Sequence, residues 1–236
     1  MKQFLTLAKG QTYVDDSDPR ELTALYRWSL NNTIKDPPCG HTFAGCLGYI
    51  ENGSWLTRSN GERFYLRAGM YFASGEPMHL CGGSGILLHC HTYRPMFVIG
   101  GPIEDKGRLR YIDGCTDSLL LPPIKCGDPC LNALYFPAGV NQTQHTHPSL
   151  RAGLVVQGQG ECILPDREPV PLVPGVCFVI EKDGLHSFRT PPESSMTVIA
   201  YHPDSDTGPK DDDHPMVNRT IVEGVSARHI DKIRTK

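Results

Sequence analysis

Two histidine-bearing segments in the C-terminal half of the chain constrain its fold more than any other feature. In order along the chain they supply Gly139, His145, His147, Gly158, the Pro174-Gly175 pair and His186. Residues two apart in a strand point to the same face of a sheet, so His145 and His147 direct their imidazoles the same way. His186, on a neighbouring strand, would complete three nitrogen ligands for a metal ion. Three protein ligands leave positions open for water or substrate, which is typical of a catalytic site.

A His-x-His pair alone also fits two surface histidines of an exposed strand, and for that pair alone this alternative stays open. The glycines around the pair and the second histidine segment favour the metal interpretation. His145, His147 and His186 are therefore the predicted metal ligands. Ligand type does not identify the ion, because neutral imidazole suits iron, zinc, copper and nickel alike.

These segments resemble the two sequence motifs of the cupin superfamily, over roughly the C-terminal half of the chain. The resemblance implies an all-β fold, the cupin-type double-stranded β-helix or jelly-roll barrel. The first motif normally has a glutamate ligand between the His-x-His pair and its final glycine, and Arg151 stands in the place of that glutamate. A guanidinium has no acceptor and cannot ligate a metal. The site is then similar to the three-histidine cupins, such as the thiol and diketone-cleaving dioxygenases, which implies Fe(II) and O2 and leaves nickel, manganese and zinc open.

The rest of the chain is predicted to extend this barrel. Residues 1–120 are predicted as an N-terminal helix and a β extension, with a degenerate cupin half as the alternative, and residues 121–236 as the metal-binding barrel with its tail. Asp18-Pro19-Arg20-Glu21 is a helix-start pattern, and Leu22, Leu25, Tyr26 and Leu30 follow at helical spacing. Near the other end, Ser226 is predicted to cap a short last helix.

A second His-x-His pair, His89 and His91, raises the alternative of a second metal site. Gly85 lies four residues before His89 rather than six, and no matching Pro-Gly segment with a histidine follows about 40 residues later. Ordinary strand histidines are therefore the favoured interpretation.

The composition of the chain limits the kinds of molecule that it is expected to bind. A net charge of −3 and a pI near 6.3 argue against a nucleic-acid-binding surface. No apolar run reaches transmembrane length, and the first residues are too weakly apolar for a signal peptide. Nine cysteines without a regular framework then indicate reduced thiols and a cytoplasmic location. The expected partner is a small molecule, with a homodimer left open.

Further cavity residues follow from strand parity. Arg151 is an even number of residues from His145 and His147, so it is predicted to face the same cavity and bind a carboxylate of the substrate. The alternative is a structural pair between Arg151 and a protein acid. By the same parity Gln157 and Phe188 are predicted to contact substrate. Tyr111 and Tyr201 are catalytic candidates whose strand register the sequence leaves open.

The favoured function is a metal-dependent oxygenase that uses molecular oxygen on a small anionic or chelating metabolite. A non-redox isomerase or lyase is the first alternative, in which the metal acts as a Lewis acid and a protein base stands nearby. A cupin that binds a small ligand without catalysis is the second.

Overall fold

The protein is built almost entirely from β-strands. The computed structural model describes residues 4–17, 23–29, 45–206 and 214–235. Within these ranges the α-helix Pro215–Arg219 and two short 3-10 turns are the only helical segments. The predicted all-β class is therefore confirmed. No helix in the described part of the chain has the length and apolar character needed to cross a membrane.

All strands of the first half except β1 form two sheets around one core. The strands of this half are β1 (Phe4–Leu7), β2 (Thr12–Asp15), β3 (Thr23–Trp28), β4 (Cys46–Asn52), β5 (Ser54–Arg58), β6 (Arg63–Leu66), β7 (Tyr71–Ser74), β8 (Met78–Cys81), β9 (Ser84–Cys90) and β10 (Val98–Gly100). Six of them pair in the order β10-β7-β4-β9-β3-β2, and β6-β5-β8 form the smaller sheet. The interior between these sheets is apolar and includes Tyr26, Trp28 and Phe72.

The second half repeats this arrangement. Its strands are β11 (Leu109–Arg110), β12 (Thr116–Leu121), β13 (Cys130–Phe136), β14 (Arg151–Gly158), β15 (Gly160–Leu164), β16 (Arg167–Leu172), β17 (Cys177–Ile180), β18 (Ser187–Arg189) and β19 (Met196–His202), followed by the small hairpin β20 (Ile221–Val222) and β21 (Val225–Ser226). The large sheet has the order β1-β17-β14-β19-β13-β12-β11, so β1 crosses over to join it. The sheet β16-β15-β18 completes the second barrel.

One glycine in each half shows how closely the halves correspond. Gly48 lies opposite Phe72, and Gly153 lies opposite Phe178. A Cβ atom at Gly48 would lie 2.3 Å from the Phe72 ring, and one at Gly153 would lie 2.2 Å from the Phe178 ring. The two halves thus share strand pairing without a sequence repeat of fixed period. The division at residue 120 stays a prediction, because β12 runs through that position.

The two large sheets pack against each other through their outer faces. This middle core contains Leu25 and Leu88 from the first half, and Leu154, Ile199 and Tyr201 from the second. Each such side chain contributes about 1.5–3 kcal/mol when fully buried. Alternate residues of the second large sheet therefore face either this core or the interior of the second barrel.

The predicted N-terminal helix is wrong where the structure describes it. Leu25 and Tyr26 lie on β3, whereas Asp18 to Leu22 and Leu30 lie outside the described residues. All six residues of β3 are buried, because Leu25 faces the middle core and Tyr26 faces the first barrel. A strand covered on both faces is apolar at successive positions, and such a run imitates helical spacing.

The predicted last helix appears as the two 3-10 turns Ala227–His229 and Asp231–Ile233. Ser226 caps the first of them as expected, since its hydroxyl accepts from the Arg228 backbone N–H at 3.3 Å.

Candidate metal centre

Three histidines converge beside the interior of the second barrel. The ring nitrogens that His145, His147 and His186 offer all lie within 4.8 Å of one another. His145 and His186 form an antiparallel bridge, in which each backbone N–H donates to the other's carbonyl, at 2.9 and 3.0 Å. The His147 carbonyl accepts from the Asp183 backbone N–H at 2.9 Å. The two sequence segments therefore lie side by side.

Backbone carbonyls set the orientation of two of the rings. Nδ1 of His145 is 2.8 Å from the Thr143 carbonyl, and Nδ1 of His186 is 2.8 Å from the Gly184 carbonyl. A carbonyl only accepts, so each Nδ1 carries the hydrogen and each Nε2 keeps its lone pair. An imidazole held in this way presents Nε2 as a metal ligand.

The surroundings also keep the rings of His147 and His186 neutral. Burial lowers the pKa of His147 to about 3, and the Arg151 cation and the neighbouring histidines add to the effect. Burial lowers the pKa of His186 to about 4, although the Gly184 carbonyl opposes the change. Metal ions bind the neutral imidazole, so this donor set fits a divalent metal ion. Among the described residues no acidic side chain joins the group.

A carboxylate outside the histidine group holds the Thr143 segment. Asp113 Oδ2 accepts from the Thr143 backbone N–H at 2.7 Å, and Asp113 Oδ1 accepts from the Thr143 hydroxyl at 3.3 Å. Thr143 in turn orients His145 through its carbonyl. Asp113 therefore acts on the metal centre through Thr143.

Asp113→Gly is expected to weaken metal binding roughly tenfold, the lower end of the usual effect of such outer partners. Glycine is the suitable replacement because Asp113 has φ 53°, which glycine adopts without strain. Asp113→Asn keeps an acceptor for the Thr143 N–H and should retain most of the affinity. Competition with a chromophoric chelator measures both. Equal metal affinity in Asp113→Gly and the wild type would contradict the proposed link.

The histidines open onto a cavity of about 610 Å³. Phe136, Phe178 and Phe188 give one apolar wall, and these rings contact one another with centroids 5.2–5.9 Å apart. Phe188 also lies 5.4 Å, centroid to centroid, from His186. Such a wall excludes water on the side next to the predicted ligands.

Arg151 and Tyr111 also line this cavity. Nη1 of Arg151 donates to the Ser149 hydroxyl at 2.6 Å and to the Leu150 carbonyl at 2.9 Å, and lies 3.8 Å from Asp204 Oδ1. Both sequence interpretations of Arg151 thus have a basis, since it faces the cavity and also pairs with a protein acid. Tyr111 is 38% exposed, and burial of part of its ring raises the pKa of its phenol against the opposing effect of Arg151.

Gln157 and Tyr201 do not line the cavity, so the parity used to predict Gln157 was wrong. The pairing of β14 with β19 shifts register between Val155 and Gln157, and the Gln157 side chain is exposed. Tyr201 points the other way from Ala200, into the middle core, where its hydroxyl lies 3.1 Å from Thr23 Oγ1. Neither side chain is in position for the role predicted from the sequence.

Among the polar cavity residues that the sequence left unidentified are Asp117, Asn132 and His202. Burial lowers the pKa of His202, and Arg151 adds to this. Burial raises the pKa of Asp117, opposed by its bond from the Asn132 amide and by the Ser118 backbone N–H. Parity shows that His202, Ala200 and Val198 share a face, but only the strand order shows that this face lines the cavity.

The first half has no histidine at the position that corresponds to His186. The small sheets give the correspondence: Leu80 lies opposite Leu56 in the first half, and Phe188 lies opposite Cys162 in the second. The residue two positions earlier is Met78 in the first half and His186 in the second. Leu87 lies opposite Gly48 just as Ala200 lies opposite Gly153. His89 and His202, each two residues further along, therefore occupy corresponding positions. Within the described residues, the three-histidine group is the only cluster of this kind.

His89→Ala combined with His91→Ala is therefore expected to leave metal content unchanged at one ion per chain. Elemental analysis of the purified proteins provides the measurement. A wild-type content of two ions that falls to one in the double variant would establish a second site.

Several solved structures share this architecture. A cupin 2 conserved barrel domain protein from Leptotrichia buccalis has a TM-score of 0.57 and 12% identity, covering 84% of this chain and 91% of that one. Protein Ylba from E. coli has a TM-score of 0.55 and 18% identity, covering 88% and 84%. A salicylate 1,2-dioxygenase from Pseudaminobacter salicylatoxidans has a TM-score of 0.50 and 10% identity, covering 84% and 75%. No protein-family model and no curated protein matches the sequence. The cupin fold implied by the motifs is thus confirmed.

Proposed function

We propose that the chain is a metal-dependent enzyme in which His145, His147 and His186 hold one divalent ion beside a substrate cavity. The convergence of their ring nitrogens within 4.8 Å, next to a cavity of about 610 Å³, carries the proposal. A structural site is normally closed by a fourth protein ligand, whereas a catalytic site keeps a position open. Only three candidate ligands belong to this group among the described residues.

The proposed substrate is a small anion. Arg151 lines the cavity, and its positive charge contributes to the lowered pKa of His147, His186 and His202. The same charge that disfavours protonation of these rings attracts an anion into the cavity. A guanidinium can bind a carboxylate through two parallel hydrogen bonds and so orient it. The anion would enter with one end at Arg151.

The finer proposal is an oxygenase with Fe(II) and molecular oxygen as partners. Ferrous iron held by the three imidazoles would supply electron transfer to dioxygen and positions for a chelating substrate. The chain's own residues have two tasks in this scheme. Phe136, Phe178 and Phe188 keep water away from the reacting end, and Arg151 fixes the anionic end of the substrate. A cytoplasmic location and a homodimer stay predictions.

Asp117 favours a second candidate, a non-redox isomerase or lyase. Such an enzyme needs a protein base in the cavity, and Asp117 is a carboxylate there whose pKa is raised by burial. A raised pKa brings a carboxyl group closer to the range in which it can take up a substrate proton. Asp117 suits this role better than Tyr111, because a phenol with a raised pKa stays protonated at neutral pH.

Elemental analysis of anaerobically purified protein, followed by oxygen uptake with a panel of small carboxylates, tests these proposals. One equivalent of iron and substrate-dependent oxygen uptake would support the oxygenase. Turnover of a carboxylate without oxygen uptake would favour the non-redox enzyme. Purified protein that contains no metal and takes up none would overturn both.

A further inference from the structure

Besides Oε1 of Gln142, two buried acceptor oxygens on the cavity wall accept no hydrogen bond from the described residues. They are Oδ1 of Asp117, on β12, and Oδ1 of Asn132, on β13. The two side chains contact each other, since Asn132 Nδ2 donates to Asp117 Oδ2 at 3.0 Å. A carboxylate oxygen only accepts, so this bond fixes the amide orientation and leaves Asn132 Oδ1 as an acceptor.

Acceptors of this kind are uncommon, because burial removes their bonds to water and leaves nothing in exchange. Asn132 is only 8% exposed, whereas Asp117 is half-buried and within reach of a bound molecule. Leu109 and Leu119 line the same cavity and are exposed, so its wall on the β11 and β12 side reaches the surface. A molecule that enters there meets a wall that includes the side chains of Asp117 and Asn132.

We propose that Asp117 and Asn132 form a subsite for a substrate group that donates N–H hydrogen bonds, either an ammonium or a primary amide. Two acceptors require at least two hydrogens, which an ammonium or amide nitrogen carries and a hydroxyl group does not. The negative charge of Asp117 strengthens a hydrogen bond from either group. This inference rests on the proposed function of the cavity, and it concerns the end of the substrate remote from Arg151.

The strand order separates the two ends of such a substrate. Asn132 lies opposite Ala200, which lies opposite Gly153, two residues from Arg151. Two strand spacings, about 10 Å, therefore separate β13 from the strand that carries Arg151. Ala200 and Gly153 are small, so they leave room between the two subsites. The substrate class is a small molecule several bonds long, anionic at one end and bearing N–H groups at the other.

Calorimetric titration of the metal-loaded full chain tests this with matched ligands. Pentanoate is compared with 5-aminopentanoate and with 5-amino-5-oxopentanoate, and equivalent sets one and two carbons shorter are titrated alongside. At least one nitrogen-bearing ligand is expected to bind about tenfold more tightly than its unsubstituted counterpart. The ammonium and amide members show which donor the subsite prefers.

Asn132→Leu should reduce this preference, measured as the ratio of the affinities for the nitrogen-bearing ligand and for the unsubstituted carboxylate. Asp117→Asn, which keeps the side-chain size, should reduce the preference for the ammonium ligand more than for the amide. The subsite would be overturned if the wild type showed no preference for a nitrogen-bearing ligand in any set. It would also be overturned if both variants kept the wild-type preference. Metal content separates this from the proposed function. If the wild type holds metal but shows no preference for nitrogen-bearing ligands, the subsite alone is disproved. If the wild type shows the preference but binds no metal, the proposed metal enzyme is disproved.

Discussion

His186→Met is expected to reduce bound metal from one equivalent per chain to background while the barrels stay folded. His186 is buried, and among the described residues it is one of only three side chains in the candidate metal-binding group. Methionine has a suitable size and is already present at the corresponding position of the first half, as Met78. The backbone bridge to His145 uses main-chain atoms and survives the change. Two remaining imidazoles hold a divalent ion far more weakly than three.

His145→Ala and His147→Ala should each have the same effect on metal content. His202→Ala is the matched control, because it removes a half-buried imidazole of the same cavity that is not a predicted ligand. Thermal unfolding shows whether each variant keeps its fold. Retention of a full metal equivalent by any of the three ligand variants would remove that histidine from the site.

The convergence of the three histidines could be predicted from the sequence because each motif is local. His145 and His147 are two residues apart, and His186 lies shortly after a turn. Asp117, Asn132 and His202 carry no such local signal. Their inward direction depends on the order β14-β19-β13-β12, which is set by pairing between residues far apart in sequence. Parity also fails after an irregularity, as the register shift before Gln157 shows.

The fold could be predicted for the second half and only in part for the first. The first barrel has Met78 where the second has His186, and its interior is filled by large apolar side chains such as Trp28 and Tyr26. Strand pairing is repeated, but the motif that identifies the barrel is not. The strand β3 was misassigned for a related reason, since burial of both its faces removes the alternation that marks a strand.

Arg151→Ala is expected to keep the metal and to lose affinity for a small carboxylate by roughly ten- to a hundredfold. A charge-assisted hydrogen bond contributes about 1.5–3 kcal/mol, which corresponds to that range. Arg151→Lys should recover part of the loss, because an ammonium group lacks the planar pair of donors. Arg151→Glu should supply a fourth ligand, bind the metal more tightly and repel the anion. Calorimetric titration with pentanoate, together with metal analysis, measures each variant.

Asp204→Asn separates anion binding from a purely structural role of Arg151. Asp204 Oδ1 lies 3.8 Å from Arg151 Nη1 and also accepts a hydrogen bond from the Ser149 hydroxyl. If Arg151 serves mainly to pair with this acid, Asp204→Asn and Arg151→Ala should lower the unfolding temperature alike and leave carboxylate affinity unchanged. If Arg151 holds the substrate, Asp204→Asn should strengthen carboxylate binding, because it removes the negative charge that competes for the guanidinium. Unchanged affinity in a well-folded Arg151→Ala protein would exclude the substrate role, and the cavity would then need another cation for its anion.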